Sequence, residues 1–171
     1  ASGPAPLGYS DSSGRFPATT NSFGPSANSK YPTTYYRQAL VVSNAAAFNG
    51  ITLNIERDDG AVVYLNGAEL SRFNMPTGAV AYTTFASANA GDDGSTVFST
   101  NVSPSRFVEG TNVFAVEIHQ DAGTSSDIWF QMQLMGLPVI IHNFFPTVAL
   151  TSPTNTQYFL APSSIALEAT A

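Results

Sequence analysis

The ten residues DDGAVVYLNG, at positions 58–67, decide the fold class of this chain. They form a short apolar run with a reversal signal at each end, because Asp-Gly and Asn-Gly accept positive φ cheaply and close tight hairpins. On the N-terminal side, residues 51–56 alternate between apolar and polar side chains, as in a strand with one buried face. The pattern predicts a three-strand meander with residues 60–65 as its middle strand.

The rest of the chain predicts further short strands separated by turns. Residues 35–42, 79–85, 96–102, 112–119 and 127–135 are the predicted strands. Residues 1–34 show no sustained period, and we expect long loops packed against the sandwich by their aromatic rings: Tyr9, Phe16, Phe23 and Tyr31. Because no window shows three turns of helical periodicity, the prediction is an all-β, jelly-roll-like β-sandwich of about eight strands.

Composition excludes several classes of function. The formal net charge is −6, and Lys30 is the only lysine, so binding to nucleic acid or to an anionic membrane is not expected. The chain has no cysteine, which excludes disulfides, thiolate metal sites and a cysteine nucleophile. The most apolar run, residues 137–145, is too short to span a membrane and contains polar residues. The chain therefore reads as a soluble protein with a polar, weakly charged surface.

Several motifs, in this order, resemble a bacterial β-sandwich module of the galactose-binding-like and PA14-like type. They are GPAPLGY (3–9), TYYR (34–37), DDGAVVYLNG (58–67), NMP (74–76), EGTNV (109–113), AVEIHQ (115–120) and SSD (125–127). The resemblance spans roughly residues 3–136. It implies a non-catalytic module of a larger secreted or cell-surface protein, and hence an extracellular location.

A second resemblance begins after the module. Residues 146–171, with PTVALTSP (146–153) and IALEATA (165–171), are similar to the first two strands of a bacterial immunoglobulin-like repeat. A complete domain of that kind needs about seven strands and about 100 residues. We therefore expect a sandwich over residues 1–136, a linker over 137–145 and a partial immunoglobulin-like segment over 146–171. The module is expected to lack one edge strand, and the segment to have two strands available for pairing.

Asp58 and Asp59 are the candidate metal ligands. The PA14-like resemblance implies calcium at tandem acids in this position, and carboxylate oxygens are the ligands that Ca²⁺ prefers. The alternative is that Asp-Asp-Gly simply forms a good turn.

A second candidate site is a glycan-binding or interface patch. Sugar rings stack on exposed aromatic side chains, while amides and carboxylates bind their hydroxyl groups. If the strands over 112–119 and 127–135 pair, five side chains form such a patch: Trp129, Gln131, Gln133, Glu117 and His119. The alternative is that a loop or another chain covers Trp129.

Catalysis is not expected. His119, Ser125, Ser126 and Asp127 supply the residue types of a hydrolase triad, but the sequence has no nucleophile elbow around the serines.

Two functions from different classes remain. The first is an extracellular structural or adhesive module that forms a filament by strand complementation between copies of itself or with neighbouring domains of the same protein. The second is a carbohydrate-binding module of a larger secreted bacterial enzyme, with a polysaccharide as its partner.

Overall fold

The structure, a computed structural model, describes residues 2–10, 15–140 and 146–170. The predicted linker over 137–145 falls largely on residues outside this description. The chain divides into two compact units, one ending at Val139 and one beginning at Ile140.

The described residues form short strands and two single 3₁₀ turns, at Ala45–Ala47 and Pro104–Arg106. The strands are β1 (Leu7–Tyr9), β2 (Thr19–Thr20), β3 (Thr33–Val42), β4 (Phe48–Asp58), β5 (Gly60–Leu65), β6 (Ala68–Phe73), β7 (Phe98–Val102), β8 (Gly110–His119), β9 (Ile128–Pro138), β10 (Ala149–Ser152) and β11 (Glu168–Thr170). The predicted all-β class is confirmed.

Two sheets make up the first unit. One has the strand order β2-β1-β9-β4-β7 and the other the order β3-β8-β5-β6. Their inner faces supply a single apolar core, which contains Leu53 and Ile55 from one sheet and Val63, Val116 and Ile118 from the other. The fold is therefore a jelly-roll-like β-sandwich.

Strand faces follow the predicted alternation. Along β8, Phe114, Val116 and Ile118 are buried in the core. Along β9, Ile128 and Phe130 are buried, and the next inward side chains pack partly against the same core. A period of two places every second side chain on one face of a sheet, so these faces could be read from sequence.

The predicted three-strand meander is wrong at its first turn. Asp58 and Asp59 do not close a hairpin, because β4 pairs with β7 and β9 whereas β5 pairs with β6 and β8. The chain crosses there from one sheet to the other. The second turn is as predicted: Asn66 and Gly67 have φ of 53° and 82° and join β5 to β6.

The strand predicted over residues 79–85 is not formed, and the one predicted over 96–102 begins at Phe98. Side chains from β3 and β8 hydrogen-bond to the backbone of residues 79–85. The carbonyl of Tyr82 accepts a hydrogen bond from Thr33 Oγ1 (2.6 Å), and that of Thr84 lies 2.7 Å from His119 Nδ1. These two carbonyl groups therefore accept hydrogen bonds from side chains within a loop and do not pair with a neighbouring strand.

The N-terminal region contains two short strands as well as loops. β1 adds to β9 in antiparallel fashion, and β2 pairs with β1 in parallel. Tyr9 is buried and meets Phe23 edge-on, with ring centroids 5.8 Å apart. Phe16 does not anchor its loop, since its side chain is 76% exposed.

The second unit is a small ribbon in which β10 and β11 pair antiparallel. Its large apolar side chains are exposed, among them Val148, Leu150 and Leu167. The ribbon therefore has no apolar core of its own within residues 146–170.

No helix within the described parts of the chain is long and apolar enough to cross a membrane.

Candidate functional sites

The first candidate site is the crossover between the two sheets, where Asp59 is fully buried. Its Oδ1 accepts a hydrogen bond from Ala90 N (2.7 Å). Its Oδ2 accepts one from Asp121 N (2.8 Å) and one from Ser125 Oγ (3.2 Å). This carboxylate therefore ties two loops to the crossover.

Asp58 lies beside two other carboxyl groups. Its side chain is 3% exposed and hydrogen-bonds to the side chains of Asp59 and Asp127. Burial, followed by the charges of these two neighbours, raises the pKa of Asp58 to about 9. Burial also raises the pKa of Asp59. Because a hydrogen bond between two carboxyl groups needs a proton on one of them, Asp58 is the group that holds it at neutral pH.

The arrangement does not offer a ready set of calcium ligands. Within the described residues, no group of three or more histidine or acidic side chains is placed to hold a metal ion. Both oxygens of Asp59 already accept hydrogen bonds from the protein. Calcium at Asp58 and Asp59 stays a prediction from sequence, and the geometry gives these residues a structural role.

Trp129 is covered by neighbouring side chains and is 8% exposed. Its Nε1 donates a hydrogen bond to Glu56 Oε2 (2.8 Å), and the Arg15 guanidinium lies 3.7 Å from the ring centroid. Gly94 approaches so closely that a Cβ there would be 2.9 Å from Trp129 Cβ. The indole is therefore packed under loops and does not present a face to a sugar.

The predicted patch around Trp129 is divided between the two sheets. Glu117 and His119 belong to β8, whereas Gln131 and Gln133 belong to β9. The condition for the patch was that these strands pair, and they do not: β8 lies between β3 and β5, and β9 between β1 and β4. This part of the prediction is corrected because periodicity sets the face of a strand but not its neighbour.

His119 is fully buried and organises the outer face of its sheet. Its Nδ1 lies 2.7 Å from the Thr84 carbonyl and 2.9 Å from Thr33 Oγ1, and Thr33 already donates its own proton to Tyr82 O. A carbonyl can only accept, so Nδ1 carries a proton. Its Nε2 lies 3.1 Å from Glu117 Oε2. The imidazole therefore holds both the loop and the carboxylate in place.

An aromatic surface surrounds Glu117, and the sequence reading missed it. Tyr35 lies directly opposite Glu117 across the β3–β8 ladder. Tyr35 and Tyr82 are 56% and 44% exposed, and their rings stack with centroids 6.5 Å apart at 22°. Burial, the Glu117 charge and Tyr82 together raise the pKa of Tyr35, and burial and Glu117 raise that of Tyr64. We call Tyr35, Tyr64, Tyr82 and Glu117 the tyrosine platform.

The residue types of a hydrolase triad are not assembled. Ser126 Oγ donates to Asp127 Oδ1 (2.7 Å), and Ser125 Oγ donates to Asp59. The ring nitrogens of His119 face Thr33, Thr84 and Glu117 instead of a serine.

One side of the sandwich is open. β1 pairs with β9 only at residues 128–130. In the part of the chain that the structure describes, residues 131–138 of β9 pair with β4 alone. Among the residues that the structure describes, β3 pairs only with β8. Two cavities of about 480 and 280 Å³ lie between β3 and β9, the first reaching Phe130 and Met132 and the second Leu134. Residues of the N-terminal segment also line the first cavity: Ser2, Gly3, Ala5 and Leu7. We call residues 131–138 of β9, with these two cavities, the open side.

Comparison with family models and with curated proteins gave no match. Among solved structures, the chain is similar to a β-D-mannosidase from Dictyoglomus thermophilum, with 20% identity and a TM-score of 0.35 over 51% of this chain. It is also similar to a Streptomyces avermitilis α-L-rhamnosidase complexed with L-rhamnose, with 22% identity and a TM-score of 0.45 over 66% of this chain. The matched region spans 9% of the length of each enzyme.

Proposed function

We propose that this chain is a non-catalytic structural module that associates with further copies of itself outside the cell. The observation that carries the proposal is the open side of the sandwich. A strand edge without a neighbour exposes a row of unpaired N–H and C=O groups, which is a template for another strand.

The surface of the open side supports association. Met135 and Leu137 on β9 are 54% and 64% exposed, and Val41 on β3 is 72% exposed. Natural edge strands are commonly protected by lysine, proline or a bulge. Pro138 ends the open side, and the stretch from 131 to 137 contains none of these protections beside its exposed apolar side chains.

The composition fits close contact between copies. Only 11% of the residues are charged, and residues 131–140 contain no charge. Desolvating charges at a contact is costly, so a weakly charged surface favours burial. Residues 146–170 provide strands, and the open side provides an edge, so the contact is head-to-tail. Such a contact builds a filament unless it closes into a ring.

The test is to place lysines on the open edge. We expect wild-type protein to form particles that grow with concentration in light scattering and fibres in electron microscopy. The double variant Met135→Lys with Leu137→Lys should stay monomeric, because lysine side chains on an edge strand disfavour pairing with another chain. Both side chains are exposed, so the melting temperature should change by less than about 2 °C.

Val97→Lys is the matched control, since Val97 is 54% exposed and precedes β7, which β4 separates from β9. It should assemble like wild type. Wild-type protein that remains monomeric at millimolar concentration would refute the proposal.

A second candidate function, carbohydrate binding, is favoured by the tyrosine platform. Stacked exposed tyrosines offer apolar faces to a sugar ring, and the Glu117 carboxylate beside them can accept hydrogen bonds from hydroxyl groups. The ring geometry disfavours a cationic ligand. An aromatic cage for a cation needs rings at steep angles to each other, whereas the rings of Tyr35 and Tyr82 are inclined by 22°.

The carbohydrate candidate is tested by affinity electrophoresis in gels containing xylan, galactomannan, galactan or mixed-linkage β-glucan. We expect at least one of these neutral polysaccharides to retard the protein. Tyr35→Ala and Tyr82→Ala should each weaken the retardation about tenfold, which is typical of losing one aromatic contact of about 1.4 kcal/mol.

Tyr158→Ala is the control, because Tyr158 is 97% exposed and lies in the other unit. If no polysaccharide retards the wild type, or if the Tyr35 and Tyr82 variants bind as well as Tyr158→Ala, this candidate is wrong.

A further inference from the structure

We infer that one ring of a neutral sugar chain binds over Ala115, between Tyr35 and Tyr64, on the outer face of the β3-β8-β5-β6 sheet. Two side chains of opposite charge, Arg37 and Glu117, bind its hydroxyl groups. The inference rests on the carbohydrate-binding candidate and adds the position of the ring, one further binding residue and the class of sugar.

Strand register brings these five residues together. Across the β3–β8 ladder, Tyr35 lies opposite Glu117 and Arg37 lies opposite Ala115. On the other side of β8, Tyr64 of β5 lies opposite Ala115. All five are on the outer face, because the alternate residues of β8 are buried in the core. Tyr35 and Tyr64 therefore stand at diagonal corners of the group, with their Cα atoms roughly 12 Å apart.

Ala115 leaves room between the two tyrosines. Side chains stand roughly perpendicular to a sheet, so the methyl group of Ala115 forms a low floor and the tyrosine rings rise on either side of it. Tyr35 is 56% exposed and Tyr64 is half-buried. A sugar ring over Ala115 therefore contacts an aromatic side chain on two sides and buries part of its apolar surface there.

Glu117 provides a free hydrogen-bond acceptor beside this floor. Its Oε2 lies 3.1 Å from Nε2 of the buried His119, whereas its Oε1 has no partner among the described residues and reaches solvent. Glu69, on the same sheet, is instead paired with Arg72. The Glu117 carboxylate is therefore oriented by the protein and still open to a ligand.

Arg37 provides free hydrogen-bond donors beside the same floor. It is exposed, and no hydrogen bond or ion pair within the described parts of the chain involves its guanidinium. Arg72, by contrast, is bound to Glu69 and to two backbone carbonyls. The Cα atoms of Arg37 and Glu117 are about 8 Å apart across the ladder, so one sugar ring can reach both side chains.

The two free charges favour a neutral ligand. A sugar hydroxyl group both donates and accepts hydrogen bonds, so one neutral ring satisfies the Glu117 carboxylate and the Arg37 guanidinium together. An anionic sugar would lie against Glu117 and a cationic ligand against Arg37, and like charges in contact are unfavourable. The net charge of −6 further disfavours an anionic polymer.

The inference is tested by filling the floor. In affinity electrophoresis with xylan, galactomannan, galactan and mixed-linkage β-glucan, Ala115→Phe should weaken the wild-type retardation about tenfold or more, because the new ring occupies the space of the sugar. Ala115→Ser keeps that space and should bind within about twofold of wild type. Asn101→Phe adds the same bulk to the exposed face of β7, in the other sheet, and should also bind like wild type.

Arg37→Ala tests the second polar contact. Since this side chain is exposed, the fold should be unaffected, and the retardation should weaken about fivefold through loss of hydrogen bonds to the sugar. Polygalacturonate, an anionic sugar chain, should not retard the wild type. Retardation by polygalacturonate that Arg37→Ala removes would mean that the site takes an acidic sugar, and the neutral class would be wrong.

Two results separate this inference from the carbohydrate candidate. If none of the neutral polysaccharides retards the wild type, both are wrong. If one does and Tyr35→Ala weakens its binding, whereas Ala115→Phe and Arg37→Ala bind like wild type, the candidate stands and the position of the ring is wrong. Thermal melting followed by circular dichroism checks that each variant is folded, and Arg37→Ala alone decides if Ala115→Phe does not fold.

Discussion

Asp58 is held between Asp59 and Asp127 in a buried site, and its proton affects the stability of the whole fold. In the unfolded chain an aspartate has a pKa of about 3.9. Burial and the neighbouring carboxylates raise the pKa of Asp58 to about 9 in the folded chain. The protonated group therefore stabilises the fold fully below the unfolded pKa, and this contribution is lost as the pH rises towards 9.

The first prediction at the residue scale is that Asp58→Asn flattens this pH dependence. Asparagine is isosteric with the protonated acid and stays neutral. Near pH 4 the two proteins should unfold at similar urea concentrations, and at pH 8.5 the variant should be more stable by roughly 4–6 kcal/mol. Urea unfolding between pH 4 and pH 9 measures both.

Asp93→Asn, at an exposed position of a turn, is the control and should follow the wild type at every pH. A wild type that gains stability from pH 5 to pH 8.5 would contradict the assignment. The same series tests calcium: a melting temperature that millimolar calcium raises in wild type but not in Asp58→Asn would show that the carboxyl group binds the ion.

At the scale of elements, Asn112 joins the start of β8 to the β5–β6 hairpin and is fully buried. Its Oδ1 accepts hydrogen bonds from Asn66 Nδ2 and Val108 N, both at 2.9 Å. Its Nδ2 donates to the carbonyls of Val108 (2.8 Å) and Gly110 (3.2 Å). Every hydrogen-bonding position of this amide is therefore used to fix two turns.

We predict that Asn112→Ala lowers the free energy of unfolding by roughly 2–4 kcal/mol, because it leaves buried donors and acceptors without partners. Urea denaturation measures the loss. Asn101→Ala, on the exposed face of β7, should cost less than about 0.5 kcal/mol. A loss below about 1 kcal/mol for Asn112→Ala would mean that water replaces these bonds.

Elements differed in how far the sequence predicted them. The Asn66-Gly67 hairpin was predicted correctly because its turn chemistry is local and both residues take positive φ. Residues 79–85 were predicted wrongly, because Thr33 and His119 bind the backbone of this segment from other strands. The hairpin predicted at Asp58 was also wrong because of contacts between residues distant in sequence. The partner of β5 on that side is β8 and not β4.

At the scale of the whole molecule, strand order decides which candidate site exists. It places Tyr35 opposite Glu117 and separates Glu117 from Trp129. It also leaves residues 131–138 at an edge, next to two cavities. The expectation of a missing edge strand came from a family resemblance, and that resemblance stays a prediction, as do the extracellular location and the absence of catalysis.

The sequence by itself determined the all-β class, the inward faces of β4, β8 and β9 and the hairpin at residues 66–67. These properties depend on side-chain alternation and on turn residues, both of which are local. Only the tertiary structure decided that the Asp58-Asp59 stretch crosses between sheets, that Trp129 is covered and that the open side and the tyrosine platform exist. Those properties depend on which strands become neighbours, which is set by packing between residues far apart in the chain.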